Sequence, residues 1–190
     1  MSPSRSNLVL IEDDRNKRGK HTVKNDAWAA HGIEVVRRRL PFGDYVAVSR
    51  LDLDEPIESI SVSVDTKADI DELAGNLKGQ HERFRNEAIR ALEAGCHLVI
   101  LVENEDGVGS LDDLRRWRES DVSYRRRWRR NRKAERYMGE DIRTAKDGHE
   151  YDKGLAHICE EMSRKYGIEF DFCRPDEAWA RVMMHLGVIM

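Results

Sequence analysis

The order of apolar and polar residues in the first part of the chain predicts three strands and one helix. Asn7–Ile11 is a short run, apolar from Leu8 onwards, that ends in an acidic turn, which is typical of a buried strand. Val23–His31 has a helical pattern, and Gly32 is a natural residue for the end of that helix. Ile33–Val36 begins a second strand, and a turn then leads into a third strand at Tyr45–Val48.

The middle of the chain changes from a strand period to a helix period. Ile57–Val64 alternates apolar and polar residues, which predicts a half-buried strand. Over Ile70–Leu92 the apolar residues recur at the i, i+3, i+4 and i+7 positions of an amphipathic helix. Gly75 and Gly79 fall inside that helix, so we predict a bend or break there. His97–Val102 is apolar after its first residue and predicts another buried strand.

The last third of the chain contains a basic segment followed by a helix–strand–helix unit. A helix is predicted directly after Ser110, a residue type that caps helices, and arginine dominates residues 115–137. Leu155–Tyr166 is amphipathic, Ile168–Phe172 predicts a last strand, and Pro175 opens a final helix. All elements together predict an α/β fold in which helices flank a mixed sheet.

The chain shows no internal repeat and no flexible linker that would divide it. We therefore predict a single domain over residues 1–190, a length at the upper edge for one core. Its predicted parts are a core at about 7–104, an Arg-rich helical insertion at about 111–145, and a carboxyl-terminal helix–strand–helix unit at about 150–187.

Composition and cysteine usage indicate the cellular setting. Charged residues make up 36% of the chain and hydrophobic residues 39%, with a net charge of −3. The three cysteines form no CxxC pair, which favours reduced thiols. The amino terminus lacks the apolar core of a signal peptide, and no apolar run approaches the ~20 residues that span a bilayer. We predict a cytoplasmic protein, in a bacterial or phage-infected cell, with no membrane partner.

Three residues at predicted strand ends form a candidate reaction centre. Asp44 follows the Gly43 turn, Asp65 follows the alternating strand, and Lys67 lies two residues further on the same face. Two carboxylates suit a hard cation such as Mg²⁺, and a lysine beside it can orient or deprotonate water and hold a phosphate. Each feature alone is more often an ordinary turn or a solvated strand end. In combination they suit phosphodiester hydrolysis.

The same residues resemble a known nuclease signature. The run from Leu40 to Val46, LPFGDYV, and the later run Val64-Asp-Thr-Lys resemble the XPF-type nuclease domain of the PD-(D/E)XK superfamily, in a small bacterial or phage member. That family carries a Gly-Asp turn and a Glu-Arg-Lys-x-x-x-Asp signature, and here Asp71 falls four residues after Lys67. The similarity covers most of the chain except the Arg-rich part.

This resemblance implies a restriction-endonuclease-like fold and a metal-dependent DNA endonuclease. Mg²⁺ or Mn²⁺ would be held by Asp44 and Asp65, with Asp13 as a further ligand. Lys67 would position the water and stabilise charge on the phosphate, and Asp71 would orient Lys67 or the start of the helix. By analogy with the family, the substrate would be branched, flapped or junction DNA, and the protein would be a homodimer.

Two residues depart from the family pattern. Thr66 stands where the family has Arg, and Asn16 stands where it has Glu in an Asp-x-Arg-Glu motif that begins here at Asp13. These changes allow for weaker activity, for one metal instead of two, or for a ligand supplied by a nearby acid. The acids in question are Glu12, Asp14 and Glu103. The alternatives to an enzyme are a non-catalytic DNA-binding module on the same fold and, less favoured, a structural scaffold.

The basic segment is the predicted DNA-binding surface. Its arginines can grip backbone phosphates, and no matching run of acids lies nearby to neutralise them. The competing interpretation is a solvated helix face, and the interleaved tryptophans are better explained by packing. Arg83 follows the signature helix closely enough to face the site. The arginines of the segment assigned to DNA contact are Arg125, Arg126, Arg127, Arg129, Arg130 and Arg132.

Overall fold

Six strands form one mixed sheet in the computed structural model, which describes residues 8–53, 57, 60–79, 81–117 and 154–188. The strands are β1 (Leu8–Asp13), β2 (Glu34–Arg38), β3 (Tyr45–Ser49), β4 (Val62–Lys67), β5 (His97–Glu103) and β6 (Glu169–Cys173). Their order across the sheet is β2-β1-β3-β4-β5-β6. Apolar, β-branched stretches in the central strands favour this fully covered arrangement.

Helices pack on both sides of this sheet. They are α1 (Thr22–Ala30), α2 (Ile70–Ala74), α3 (His81–Glu93), α4 (Leu111–Arg116), α5 (Gly154–Tyr166) and α6 (Ala178–His185). A short 3₁₀ turn at Arg50–Asp52 follows β3, and a π-helix at Gly75–Gly79 separates α2 from α3. Among the described residues, no helix has the length and apolar character needed to cross a bilayer.

One strand runs against the other five. β1 pairs with β2 in parallel, and β4, β5 and β6 are also parallel to one another. β3 is antiparallel to both of its neighbours, β1 and β4. The amino end of β3 therefore lies at the same edge of the sheet as the carboxyl ends of β1, β4 and β5. This edge carries the candidate site.

The core has two layers because alternate residues of each strand face opposite sides of the sheet. In β5, Ile100 and Val102 pack in the layer covered by α2, α3 and α5. Val99 and Leu101 pack in the layer covered by α1 and α6, around the fully buried Trp28. Both layers are apolar, so the charged residues at the edge are held in place by a rigid scaffold.

The predicted fold class is confirmed, since the structure is a mixed α/β sheet flanked by helices. The break predicted near Gly75 is present as the π-helix, and the carboxyl-terminal helix–strand–helix is α5, β6 and α6. The predicted helix after Ser110 is α4, whose Asp113 N–H donates to Ser110 Oγ at 3.1 Å.

Three predicted boundaries are wrong. β4 begins at Val62 and continues through Lys67, because its pairing with β5 includes the charged residues at its end. β1 extends to Asp13 for the same reason, since Asp13 pairs with Arg38 of β2. Pro175 lies in a turn closed by the Glu177 N–H bond to Arg174 O, and the last helix begins at Ala178.

Most of the Arg-rich insertion lies outside the described residues. Of this part the structure describes α4 and Trp117, whose side chain is buried and donates to Asp106 Oδ2 at 3.0 Å. Trp117 thus packs, as predicted for the tryptophans. The division of the chain into one domain stays a prediction.

Candidate active site

The candidate site lies where three strands end together. Asp13 is the last residue of β1, Asp44 immediately precedes β3, and Asp65 and Lys67 are near the end of β4. All four side chains are buried, with exposed fractions between 4% and 8%. Four ionisable groups in a buried environment are costly unless they are paired or bound, so their arrangement needs a chemical reason.

The turn that delivers Asp44 depends on Gly43. Gly43 has φ +69°, a backbone conformation that is unfavourable for residues with a Cβ. A Cβ at this position would lie 2.1 Å from Ser63 Oγ. The backbone of Asp44 bonds to the strands on both sides of it. Asp44 N–H donates to Val64 O at 2.9 Å, and Asp44 O accepts from Asp13 N–H at 2.8 Å.

Asp44 is held as a charged carboxylate. Its Oδ1 accepts from Asn16 Nδ2 at 3.0 Å, and its Oδ2 accepts from Thr66 at 2.9 Å (N) and 2.7 Å (Oγ1). Burial alone raises the pKa of Asp44, but these hydrogen bonds and nearby Lys67 outweigh it, so the pKa lies below its ordinary value. Asp44 is therefore ionised and fixed in direction.

Asp65 and Lys67 form a buried ion pair on one face of β4, as the two-residue period predicts. Lys67 Nζ donates to Asp65 Oδ2 at 2.6 Å and lies 5.8 Å from the centre of the Phe84 ring. Burial raises the pKa of Asp65 to about 7, against the opposing charge of Lys67, and the charge of Asp44 adds to the rise. Burial lowers the pKa of Lys67, but Asp65 outweighs it and the pKa is raised. Lys67 therefore keeps its proton.

Glu87 is a residue of the site that sequence reasoning missed. It lies on α3, and its Oε1 accepts from Gly43 N–H at 2.9 Å, so it fixes the turn before Asp44. Its charge also raises the pKa of Asp65. The available signal was its position three residues after buried Phe84, which places a charged residue on the inner face of the helix.

The acids weighed as further metal ligands are engaged elsewhere. Asp13 accepts from Arg15 Nε at 2.6 Å and from Leu40 N at 3.4 Å. Glu12 accepts from Asn25 Nδ2 of α1 at 3.1 Å. Glu103 pairs with Lys24, also of α1. The remaining candidate acid, Asp14, is exposed. Thus Glu12 and Glu103 bond to the α1 side, and Asp13 has a positive partner of its own.

Asp71 and Arg83 lie on the two helices that follow β4. Asp71 is half-buried in the first turn of α2, where Asp69 caps the helix by accepting from Glu72 N–H at 2.7 Å. Arg83 is exposed on α3, next to buried Phe84. The six arginines assigned to DNA contact, Arg125, Arg126, Arg127, Arg129, Arg130 and Arg132, lie outside the described residues.

The donor set of the site fits a hard divalent cation. Asp44 and Asp65 are buried carboxylates whose like charges oppose each other, and Lys67 supplies one positive charge against two negative ones. Within the part of the chain that the structure describes, no three His, Cys, Asp or Glu side chains group as a complete metal site. Mg²⁺ commonly binds one or two carboxylates and completes its shell with water and phosphate oxygens, so two acids suffice.

A mixed sheet flanked by helices, with two buried acids and a lysine where its strands end, is the restriction-endonuclease-like fold expected from the sequence. The family model of the ERCC4 domain matches residues 13–158, well over half of the chain. The chain belongs to the ERCC4 domain family, which confirms the resemblance to XPF-type nucleases.

Two solved structures share this fold. XPF from Aeropyrum pernix is 16% identical, with a TM-score of 0.55 over 94% of this chain and 65% of that one. XPF from the same organism in complex with DNA is 18% identical, with a TM-score of 0.54 over 94% of this chain and 63% of that one. This chain therefore spans just under two thirds of their length. A comparison with curated proteins finds no match.

Proposed function

We propose that this chain is a metal-dependent DNA endonuclease whose reaction takes place at Asp44, Asp65 and Lys67. The observation that carries the proposal is the buried contact between Lys67 Nζ and Asp65 Oδ2 beside Asp44, in a chain of the ERCC4 domain family. A non-catalytic relative has no need to keep a lysine and two acids buried together, because each one costs free energy of folding.

The residues divide the work of hydrolysis between them. Asp44 and Asp65 would hold Mg²⁺ or Mn²⁺. Asp13, which forms an ion pair with Arg15, would be a further ligand. The bound ion supplies Lewis acidity and lowers the pKa of a water molecule. Lys67 would position the water and stabilise the charge that develops on the phosphate. Its ammonium has donors beyond the one used by Asp65, and these bond to a phosphate oxygen as negative charge develops.

Branched, flapped or junction DNA is the proposed substrate class, by analogy with XPF-type relatives. The basic residues between Arg125 and Arg132, together with exposed Arg83, would bind the phosphate backbone around the scissile bond. A homodimer is proposed on the same analogy. Asp71, in the first turn of α2, is proposed to orient the start of that helix next to Lys67.

The test is cleavage of labelled fork, flap, four-way-junction, single-stranded and duplex DNA in Mg²⁺, in Mn²⁺ and in chelator. Asp65→Asn and Lys67→Met keep the size of each side chain and remove its charge. We expect metal-dependent cutting of the branched substrates, and we expect each substitution to lower the rate by about 100-fold or more.

Asp112→Asn is the matched control, because Asp112 is an exposed acid in the first turn of α4, away from the site. It should cut at the parental rate. Retention of DNA by the parent without any cutting, in either metal, would reject the enzyme and support a binding module. Cutting that survives Asp65→Asn would reject the assignment of the site.

A further inference from the structure

The two residues that depart from the family signature both contact the same carboxylate. Thr66 donates twice to Asp44 Oδ2, at 2.9 Å from its N and 2.7 Å from its Oγ1. Asn16 donates to Asp44 Oδ1 from its Nδ2 at 3.0 Å. Thr66 is 2% exposed and half-buried Asn16 lies in the turn after β1, so the two approach Asp44 from different segments of the chain.

Counting donors from the described residues only, these hydrogen bonds leave one lone-pair site of Asp44 unused. Each carboxylate oxygen offers about two lone-pair sites. Thr66 fills both sites of Oδ2, whereas Asn16 fills one site of Oδ1. The remaining site on Oδ1 is the one that Asp44 can offer to a cation. On β4, Asp65 accepts from Lys67 through Oδ2, and this bond does not use its Oδ1.

Neither Asp44 nor Asn16 is free to turn away. The Asp44 backbone bonds to Val64 on one side and to Asp13 on the other. The Asn16 backbone N–H donates to Asp13 O at 3.2 Å, and its O accepts from Arg37 Nη2 at 2.5 Å. Because the backbones of Asn16 and Asp44 are both held, the hydrogen bond between their side chains fixes the direction of the Asp44 carboxylate before a cation binds.

We propose that Asn16 and Thr66 are positioning residues that fix Asp44 so that a divalent cation binds it through Oδ1 alone. This inference rests on the proposed function, because it concerns the same metal. It gives the two departures from the family pattern a common purpose. Asn16 replaces the acid of the family pattern and Thr66 replaces its arginine, and both side chains donate hydrogen bonds to Asp44.

The test measures Mn²⁺ binding to the full chain without DNA, by calorimetry and by the electron paramagnetic resonance of free Mn²⁺. Thr66→Val keeps the shape of the side chain and removes the hydroxyl donor, and Thr66→Ser keeps the donor. Asn16→Ala removes the other donor. We expect Thr66→Val and Asn16→Ala each to weaken Mn²⁺ binding by about 10-fold or more, and Thr66→Ser to remain near the parent.

Two matched variants control for the substitutions themselves. Thr22→Val removes a hydroxyl that donates to Gly19 O, and Asn25→Ala removes an amide that donates to Glu12. Neither residue contacts Asp44, so both should bind Mn²⁺ as the parent does. Asp44→Asn defines the signal of the site, and thermal unfolding of every variant identifies any loss of fold.

The outcomes separate this inference from the proposed function. Weaker Mn²⁺ binding in folded Thr66→Val and Asn16→Ala supports the positioning role even if no DNA is cut. Parental Mn²⁺ binding in both variants overturns it even if the parent is an active nuclease. Tighter binding in Asn16→Asp also overturns it, since residue 16 would then be a ligand position. The inference is equally overturned if no Mn²⁺ binding depends on Asp44.

Discussion

Among single residues, Gly43 has the strictest conformational requirement near the site. Its φ of +69° and the 2.1 Å approach of a Cβ to Ser63 Oγ are separate costs for any replacement. We expect Gly43→Ala to lower the free energy of unfolding by roughly 2–5 kcal/mol. Because the turn carries Asp44, metal binding and cleavage should fall as well. Urea denaturation and a cleavage assay measure the two effects.

Gly95→Ala separates the two costs. Gly95 has nearly the same φ, +68°, but nothing lies within 4 Å of a Cβ there. This variant should lose only about 1–2 kcal/mol and keep its activity. Equal losses in the two variants would show that contact with Ser63 is not what demands glycine at residue 43.

His21 should make stability depend on pH. It is 3% exposed and its Nδ1 is hydrogen-bonded to the Tyr45 hydroxyl, and burial lowers its pKa from 6.5 to about 4. Lys24, Lys20 and Arg37 add to the fall, and Asp44 opposes it. Between those two pKa values the unfolded chain binds more protons than the folded one. The protein therefore loses stability as the pH falls from about 6.5 to about 4.

Urea unfolding of the parent and of His21→Gln at several pH values tests this prediction. The parent should lose up to about 3 kcal/mol more than the variant between about pH 7 and about pH 4. The comparison cancels the titration of Asp65, whose raised pKa acts in the opposite direction in both proteins. Parallel pH profiles would show that His21 is not the group responsible.

The contacts of single residues divide into those that sequence could predict and those that it could not. The meeting of Asp65 with Lys67 follows from the period of a strand, which is a local rule. The bonds from Asn16 to Asp44 and from Gly43 to Glu87 join positions 28 and 44 residues apart. No local pattern specifies such a pair, because it is the sheet order and the packing of α3 that bring the residues together.

At the scale of elements, a buried ion pair joins α1 to the end of β5. Lys24 and Glu103 are 7% and 8% exposed and are paired with each other. Removing one partner leaves a buried charge without compensation, so Lys24→Met and Glu103→Gln should each cost about 3–5 kcal/mol of unfolding free energy. The double variant Lys24→Met/Glu103→Leu should cost clearly less than the two single losses added together.

The exposed pair of Arg50 and Glu34 provides the comparison. Their side chains are 48% and 43% exposed, so Glu34→Gln should change stability by less than about 1 kcal/mol. Chemical denaturation measures all four variants. A small loss in both single variants at Lys24 and Glu103 would mean that the pair is solvated.

The elements themselves were largely predictable, because each one buries a periodic apolar face. The break inside Ile70–Leu92 followed from two glycines and is the π-helix. The end of β4 was missed because Asp65 and Lys67 are poor strand formers in isolation. Their pairing with β5 decides their conformation, and a partner strand is not visible in the local pattern.

At the scale of the whole molecule, the net charge is −3, so the proposed binding of DNA would have to come from a local concentration of arginines. Arg126→Gln/Arg127→Gln should weaken DNA binding and reduce the slope of log affinity against log salt by up to about 2. Fluorescence anisotropy over a salt series, in chelator, measures this slope.

Arg164→Gln/Arg174→Gln is the matched control. These arginines are exposed and are paired with Glu161 and Asp176. The control should leave the salt slope unchanged. An equal change in both double variants would mean that DNA binding reflects overall charge rather than the basic segment.

The reversed strand β3 divides the sheet into two parallel halves, β2-β1 on one side and β4-β5-β6 on the other. Asp44 enters β3, whereas Asp65 belongs to the half beyond it, and the paired register between β3 and β4 is short. A cation bound by both acids, as proposed, would therefore connect the two halves of the sheet. Binding of the cation and the stability of the folded sheet would then be linked. The rise in melting temperature on adding Mg²⁺ or Mn²⁺ would therefore report the affinity of the site for the metal.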